Sequence, residues 1–219
     1  MNKRLLNTVS VSSSVVAVLI ITVILAACEN DEPKIDNYLE IEATGIEIGN
    51  CDVATAKARI HTLIGYPDAE EPYWVEYELA SVKFENGGFK MRLPATIPDE
   101  YLWTKSTFEG FTLSDSQAKI GTFSVDAYNS DGKCVGALGV QGEKWNIEYV
   151  YADRSFTEKG KLEYDANNKP YIFGAEFECS YKKGWNIIYS TAIEMIVTRT
   201  TEKPINEDFR WYFAELMVD

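Results

Sequence analysis

"ASVKFENGGFKMRLP", residues 80–94, decides the fold. Apolar and polar residues alternate on both sides of Asn86-Gly87-Gly88, and a period of two marks a strand with one buried face. Asn-Gly is a preferred two-residue hairpin turn because both positions take positive φ. With Asn86-Gly87 as the turn, Phe84 lies opposite Phe89, Val82 opposite Met91 and Ala80 opposite Leu93. All six then share one face, and Lys83, Lys90 and Arg92 take the other. A Gly87-Gly88 turn keeps those faces and shifts the partners by two, whereas a one-residue slip sets Phe84 against Lys90.

The same alternation runs outward in both directions. A second hairpin reads from Ile120 to Val140, turned at Asp131-Gly132, with Phe123 opposite Val140 and Val125 opposite Leu138. Further strands are expected at about 38–48, 55–64, 73–84, 145–152, 155–164, 171–180, 185–198 and 209–217. The helix candidate is short, at Pro98-Asp99-Glu100-Tyr101-Leu102, where proline and acids suit a first turn. Many short strands at close spacing predict an all-β fold: an antiparallel β-sandwich of immunoglobulin-like, Greek-key type. A closed or partly open β-barrel is the alternative. One domain over 38–219 is expected, with two packed sub-sheets dividing near 95–118. The 13 Tyr, 10 Phe and 5 Trp agree with a β composition. "EKWNIEYVY" at 143–151 and "KGWNIIYST" at 183–191 echo each other. They read as two strands with an indole on the core face, since a repeat array needs at least about three units; a duplicated sugar platform is the sharper reading.

The amino terminus gives an address. Lys3 and Arg4 precede a polar patch and an apolar run from about Val15 to Ala27, the layout of a cleaved secretory signal over 1–27. Leu25-Ala26-Ala27-Cys28 resembles the bacterial lipobox, in which the cysteine becomes the acylated first residue. Two or more acyl chains anchor a protein stably where one does so only marginally. Lipidated Cys28 is therefore the expected membrane attachment, and the acidic Glu29-Asn30-Asp31-Glu32-Pro33 opens a solvated linker over 28–37. Without residues 1–27 the chain carries 19 basic against 34 acidic side chains, a net charge of −15. Such a surface repels phosphate backbones and argues against nucleic acid as a partner.

The lipobox together with "NGGFKMRLP", "YVYADRSFTEKG" and "KKGWNIIY" resembles a group of small Bacteroidetes surface lipoproteins, mostly of unknown function. The acidic run after Cys28 also resembles the surface-export signal of such lipoproteins. The resemblance implies an outer-membrane location, on the cell surface or the periplasmic face, and assigns a role to Cys28 alone.

Little in the sequence points to catalysis or metal. His61 is the single histidine, on a strand face shared with Lys57 and Arg59, so a HExxH site is excluded and any triad would have to use it. No GxSxG or SxxK is present. Asn129-Ser130-Asp131-Gly132 and Asp165-Ala166-Asn167-Asn168 are Asx turns without the oxygen-ligand spacing of a calcium loop. With Cys28 lipidated, Cys51, Cys134 and Cys179 allow at most one disulfide, and at least one is expected to be a buried small hydrophobe. No cofactor, metal site or catalytic residue is expected. Aromatic clusters remain: Tyr73-Trp74, Tyr101-Leu102-Trp103 and Trp211-Tyr212-Phe213. Core packing explains most sandwich tryptophans. On loops at one end, Tyr73, Trp74, Tyr101 and Trp103 would instead form an exposed patch, and such patches mark binding. The expected function is a lipid-anchored envelope binding or scaffold module for a carbohydrate or a protein partner. A hydrolase built on a carboxylate pair and a fimbria-like structural subunit are the alternatives.

Overall fold

The computed structural model describes residues 38–64, 73–106, 110–162, 174–193 and 196–216. The signal segment, Cys28 and the acidic linker lie outside the described residues, as does Asp165–Asn168. In chain order the elements are β1 (Leu39–Ala43), β2 (Thr55–Ile64), β3 (Tyr73–Lys83), β4 (Phe89–Leu93), a 3-10 turn (Asp99–Tyr101), β5 (Trp103–Thr104), β6 (Phe111–Leu113), β7 (Lys119–Tyr128), β8 (Cys134–Gln141), β9 (Asn146–Ala152), β10 (Phe156–Leu162), β11 (Gly174–Tyr181), β12 (Gly184–Ile193), β13 (Ile196–Thr200) and β14 (Arg210–Glu215). The fold is all-β, sandwich-like and almost wholly antiparallel, and its sheets do not close into a barrel. The β11–β13 pairing is parallel.

Residue alternation explains the faces. In β4 the run Phe89, Met91, Leu93 is buried while Lys90 and Arg92 point out. In β2 the buried row is Ala56, Ala58, Ile60 and Thr62, with Lys57, Arg59 and His61 opposite. The 80–94 hairpin turns as expected: Asn86 and Gly87 have φ of 54° and 70°, and Glu85 bridges Gly88. Its arms then part. β4 pairs with β1 and β3 with β2, so Val82 does not pair with Met91, nor Ala80 with Leu93. They face each other across two layers, and all six apolar residues of the stretch enter one core. That core lies between the two-stranded β1–β4 layer and the β2, β7 and β8 region of the large sheet.

β7 is the spine of the large sheet. β2 runs along one of its edges, from Thr55↔Tyr128 to Ile60↔Phe123. On the other edge β8 pairs with Val125–Tyr128, and β9 takes over at Ile120–Thr122. Val125↔Leu138 is formed as the hairpin pattern predicts, but Phe123↔Val140 is not, because Val140 pairs with Ile147 of β9. Between the two ladders the sheet forks around a hollow of about 330 Å³ lined in part by Phe123, Ser124, Glu148 and Tyr149. One branch ends in β8 and β14; the other continues through β9, β12, β13, β11, β10 and β6. The second branch covers its own core of Ile120, Val150, Phe156, Cys179, Tyr181 and Ile188. Ile60, Ile97, Leu102 and Tyr151 form a third cluster.

The expected strand 185–198 is two strands, β12 and β13, paired antiparallel from Tyr189↔Thr200 to Ile193↔Ile196. Of the two echoed tryptophans, Trp185 packs edge-on against Phe123 and Tyr151 and donates its indole N–H to the Pro94 carbonyl at 2.8 Å. Trp145 precedes β9 and belongs to none of the core clusters. Because β9 and β12 are antiparallel neighbours, Trp185 meets Tyr151 and not its sequence counterpart.

Candidate binding groove beside strand β14

β14, "RWYFAE", pairs residue for residue with β8 from Arg210↔Gln141 to Glu215↔Gly136. β8 is its only partner among the described residues. The Leu216 amide donates to the Val135 carbonyl at 3.0 Å. Since hydrogen-bonded pairs alternate along an antiparallel ladder, Arg210, Tyr212 and Ala214 direct their main-chain groups at β8. Those of Trp211, Phe213 and Glu215 point to the open side.

The side chains alternate the other way. Trp211 and Phe213 turn toward the first core, where Trp211 meets Phe89 edge-on at 5.1 Å between centroids. Tyr212 stays 37% exposed and its ring lies over Gly139, where a Cβ would sit only 2.7 Å from ring atoms. Beside β14 runs a groove of about 800 Å³, floored by Val140 of β8 and residues Phe209 to Phe213. Its opposite wall is Glu42, Thr44, Gly45 and Glu47, from β1 and the turn after it. A second hollow of about 430 Å³ shares Arg210, Trp211 and Tyr212 with the groove and adds Gln141, Glu143, Asn206 and Glu207. Glu207 is held by the Glu143 amide at 2.9 Å, and Asp208 takes Arg210 through Nε and Nη2 at 3.0 and 2.6 Å. The groove therefore combines aromatic surface, a carboxylate rim and main chain that has no partner among the described residues.

Of the four residues expected in an exposed aromatic patch, Tyr101 and Trp103 are described with their side chains and lie away from the groove. Tyr73 and Trp74 open β3 opposite Ile64 and Leu63, and their side chains lie outside the described part of the structure. Tyr101 stacks on Tyr77 at 4.4 Å, and its carbonyl accepts from the Thr62 hydroxyl. Trp103 pairs with Ile120 on β5 and packs half-buried against the second core. Tyr101 and Trp103 thus stand on a turn and a strand with packing partners, and the structure gives them no place in the groove. Of the three aromatic clusters, Trp211-Tyr212-Phe213 is the one that lines it. Glu42, Glu47 and Phe209 complete the lining without any signal in the sequence linking positions so far apart.

No protein-family model, curated protein or solved structure matches this chain.

Two further polar clusters lie away from the groove. Inside the second core Glu158, 2% exposed, holds Lys105 at 2.9 Å and accepts the Tyr181 hydroxyl at 3.3 Å. Burial pushes the neighbouring Cys179 thiol up to about 11 and raises the Tyr181 phenol further above its ordinary value. Arg199 reaches Glu148 at 2.5 Å at the edge of this region. These groups neutralise one another, which is what keeps buried charges tolerable. On the outer face of β2, Arg59 binds Asp126 through Nε and Nη2 at 3.0 and 2.5 Å and Glu76 at 2.6 Å. His61 stands beside them, 3.5 Å from Glu76 and 3.9 Å from Asp126. Among the described residues no group of His, Cys, Asp and Glu could hold a metal ion. Cys51, Cys134 and Cys179 are all free thiols.

Proposed function

We propose that this chain is a binding module of the bacterial cell envelope, tethered to the outer membrane through Cys28, which takes a carbohydrate or protein partner into the β14 groove. The observation that supports it is the groove itself, where an aromatic floor and a carboxylate rim meet a strand edge without a partner among the described residues. Aromatic side chains supply large contact area, and a few fixed polar groups give orientation. The buried Lys105–Glu158 pair and the Arg59–Asp126 pair are already satisfied internally, so they serve packing better than chemistry. That favours binding over the hydrolase alternative.

The test compares the full chain in detergent micelles with Tyr212→Ala and with Glu42→Ala/Glu47→Ala, on a glycan array and against fractionated envelope proteins. All three positions are exposed, so the fold should survive the changes. A specific binder that both variants lose supports the reading. Binding that ignores both moves the site elsewhere, and no binder of either class removes the proposal.

A further inference from the structure

We infer that the partner of the β14 groove is an extended, basic polypeptide segment that adds to the sheet as the antiparallel neighbour of β14. This rests on the groove being the binding site and names what fills it.

The first support is the state of the edge. Natural sheets protect free edges with short strands, bulges, proline, or lysine and other charges, because a row of unpaired N–H and C=O groups recruits other chains. The other free edges carry such devices among the described residues. β3 has a register shift where it passes Ala58 and Arg59 of β2, and it bears Glu76, Glu78 and Lys83. β6 is three residues long, and β1 alternates Glu40 and Glu42 with its buried residues. β14 has no bulge, and its charges, Arg210 and Glu215, stand only at its two ends. Its six residues hold an unbroken register with β8, contain neither proline nor lysine, and place Trp-Tyr-Phe-Ala between the terminal charges. At about 3.3 Å per residue its edge is about 20 Å long.

The second support is the geometry beside that edge. An added antiparallel strand would exchange hydrogen bonds with Trp211, Phe213 and Glu215, the residues whose main-chain groups face outward. Residues in a hydrogen-bonded antiparallel pair project their side chains to the same face. The partner residues bonded to Trp211 and Phe213 would therefore lie along the apolar floor with Val140. Alternate positions of the partner are apolar for this reason.

Charge then distinguishes among strands. Glu47, and Glu42 with Lys90 at 3.4 Å, stand on the far wall, Glu207 lies at one end of β14 and Glu215 at the other. Arg210, the cation of the strand, is already taken by Asp208. A chain of net charge −13 also disfavours a second copy of itself in the groove. A lysine- or arginine-bearing strand is complementary to this rim.

The probe is an acetylated, amidated heptapeptide of alternating lysine and valine, titrated into the full chain in micelles. Hydrogen exchange of the β14 amides and sedimentation are measured alongside. Binding should slow exchange at Trp211 and Phe213 and leave Tyr212 and Ala214, already bonded to β8, unchanged. N-methylation of the valines, whose amides face β14, should weaken binding at least tenfold, whereas N-methylation of the lysines should change it less than threefold. Glu42→Lys/Glu47→Lys should weaken it at least tenfold, as should replacing the probe's lysines with glutamates. Equal binding by both N-methylated probes overturns strand addition. So does no binding at all, or self-association of the chain with Trp211 and Phe213 already protected, which would make a second copy the occupant. If a glycan binds in the groove-dependent manner described above while the heptapeptide does not, the polypeptide partner is wrong and the binding module stands.

Discussion

Glu158→Gln tests the second core most directly. Glu158 is 2% exposed and Lys105 11% exposed, with 2.9 Å between them. The substitution keeps volume and shape but leaves the Lys105 ammonium without its counter-charge in a mostly dry setting. Removing one member of a buried pair costs about 3–5 kcal/mol, and the residual exposure of Lys105 places the effect at the low end, about 3 kcal/mol. The hydroxyl of Tyr181 loses a charged acceptor as well, though its 3.3 Å distance makes that a minor contribution. With a urea m-value of about 2 kcal/mol per M, the unfolding midpoint should fall by about 1.5 M. Removing both charges tells a different story, because an apolar pair of similar volume is often as stable as a buried ion pair. Lys105→Met/Glu158→Leu should therefore recover to within about 1 kcal/mol of the parent. The assay is urea denaturation followed by tryptophan fluorescence and far-ultraviolet circular dichroism. A loss below about 1 kcal/mol for Glu158→Gln, or a double variant no more stable than the single, would show that Lys105 is solvated and the pair incidental.

Three shorter predictions concern other parts of the fold. Gly88→Ala should cost about 3 kcal/mol, since the new Cβ would collide with the Ala43 carbonyl, a backbone atom of β1 with nowhere to move. Gly132→Ala has open space and only its φ of 77° to strain it, so about 1 kcal/mol is expected; equal losses in thermal unfolding would discredit the steric account. The Cys179 thiol titrates near 11 in the folded chain and near 9 when free. Its contribution is complete below pH 9 and is lost as pH rises toward 11. Cys179→Ala should flatten that alkaline decline, and an unchanged slope counts against it. The Ser130 hydroxyl and amide, both donated to Asp52, hold its carboxyl below the usual range. The stability gap between the parent and Asp52→Ala should therefore close as the pH falls through the lowered value; a gap independent of pH would mean the bonds carry no charge preference.

What the sequence reveals about this fold is the face of each residue far more than its partner. Alternation in "ASVKFENGGFKMRLP" puts Phe84, Phe89, Met91 and Leu93 in the core, and they are there. The same pattern suits one hairpin or two stacked layers equally, because a side chain is buried in either. The fork at β7 is hidden for a similar reason: Val140 satisfies its apolar requirement beside Ile147 as well as beside Phe123. β5 and β6 span two and three residues, too short for any period to register. The groove is half visible. Trp211-Tyr212-Phe213 is legible as an aromatic strand, but Glu42 and Glu47 come from the opposite end of the chain. Tyr101 and Trp103 have the composition of a binding patch; the stacking of Tyr101 on Tyr77 and the second core against Trp103 give them other work.

The pairing of β14 with β8 has a consequence for how the molecule comes into being. β8 lies near the middle of the chain, yet Ala137 stands opposite Asp126 of β7 on one side and awaits Ala214, 77 positions later, on the other. β2 likewise waits about 70 residues for β7. Folds dominated by such distant pairings assemble in milliseconds to seconds, not microseconds, because loop closure precedes the contacts that reward it. During that interval "CVGALGVQ" of β8 stands uncovered along one side, an apolar strand with a single charged neighbour, Lys133, at its start. Chains stopped short of Arg210 should therefore aggregate rather than fold, which makes the last strand the one that releases the molecule from its most vulnerable state.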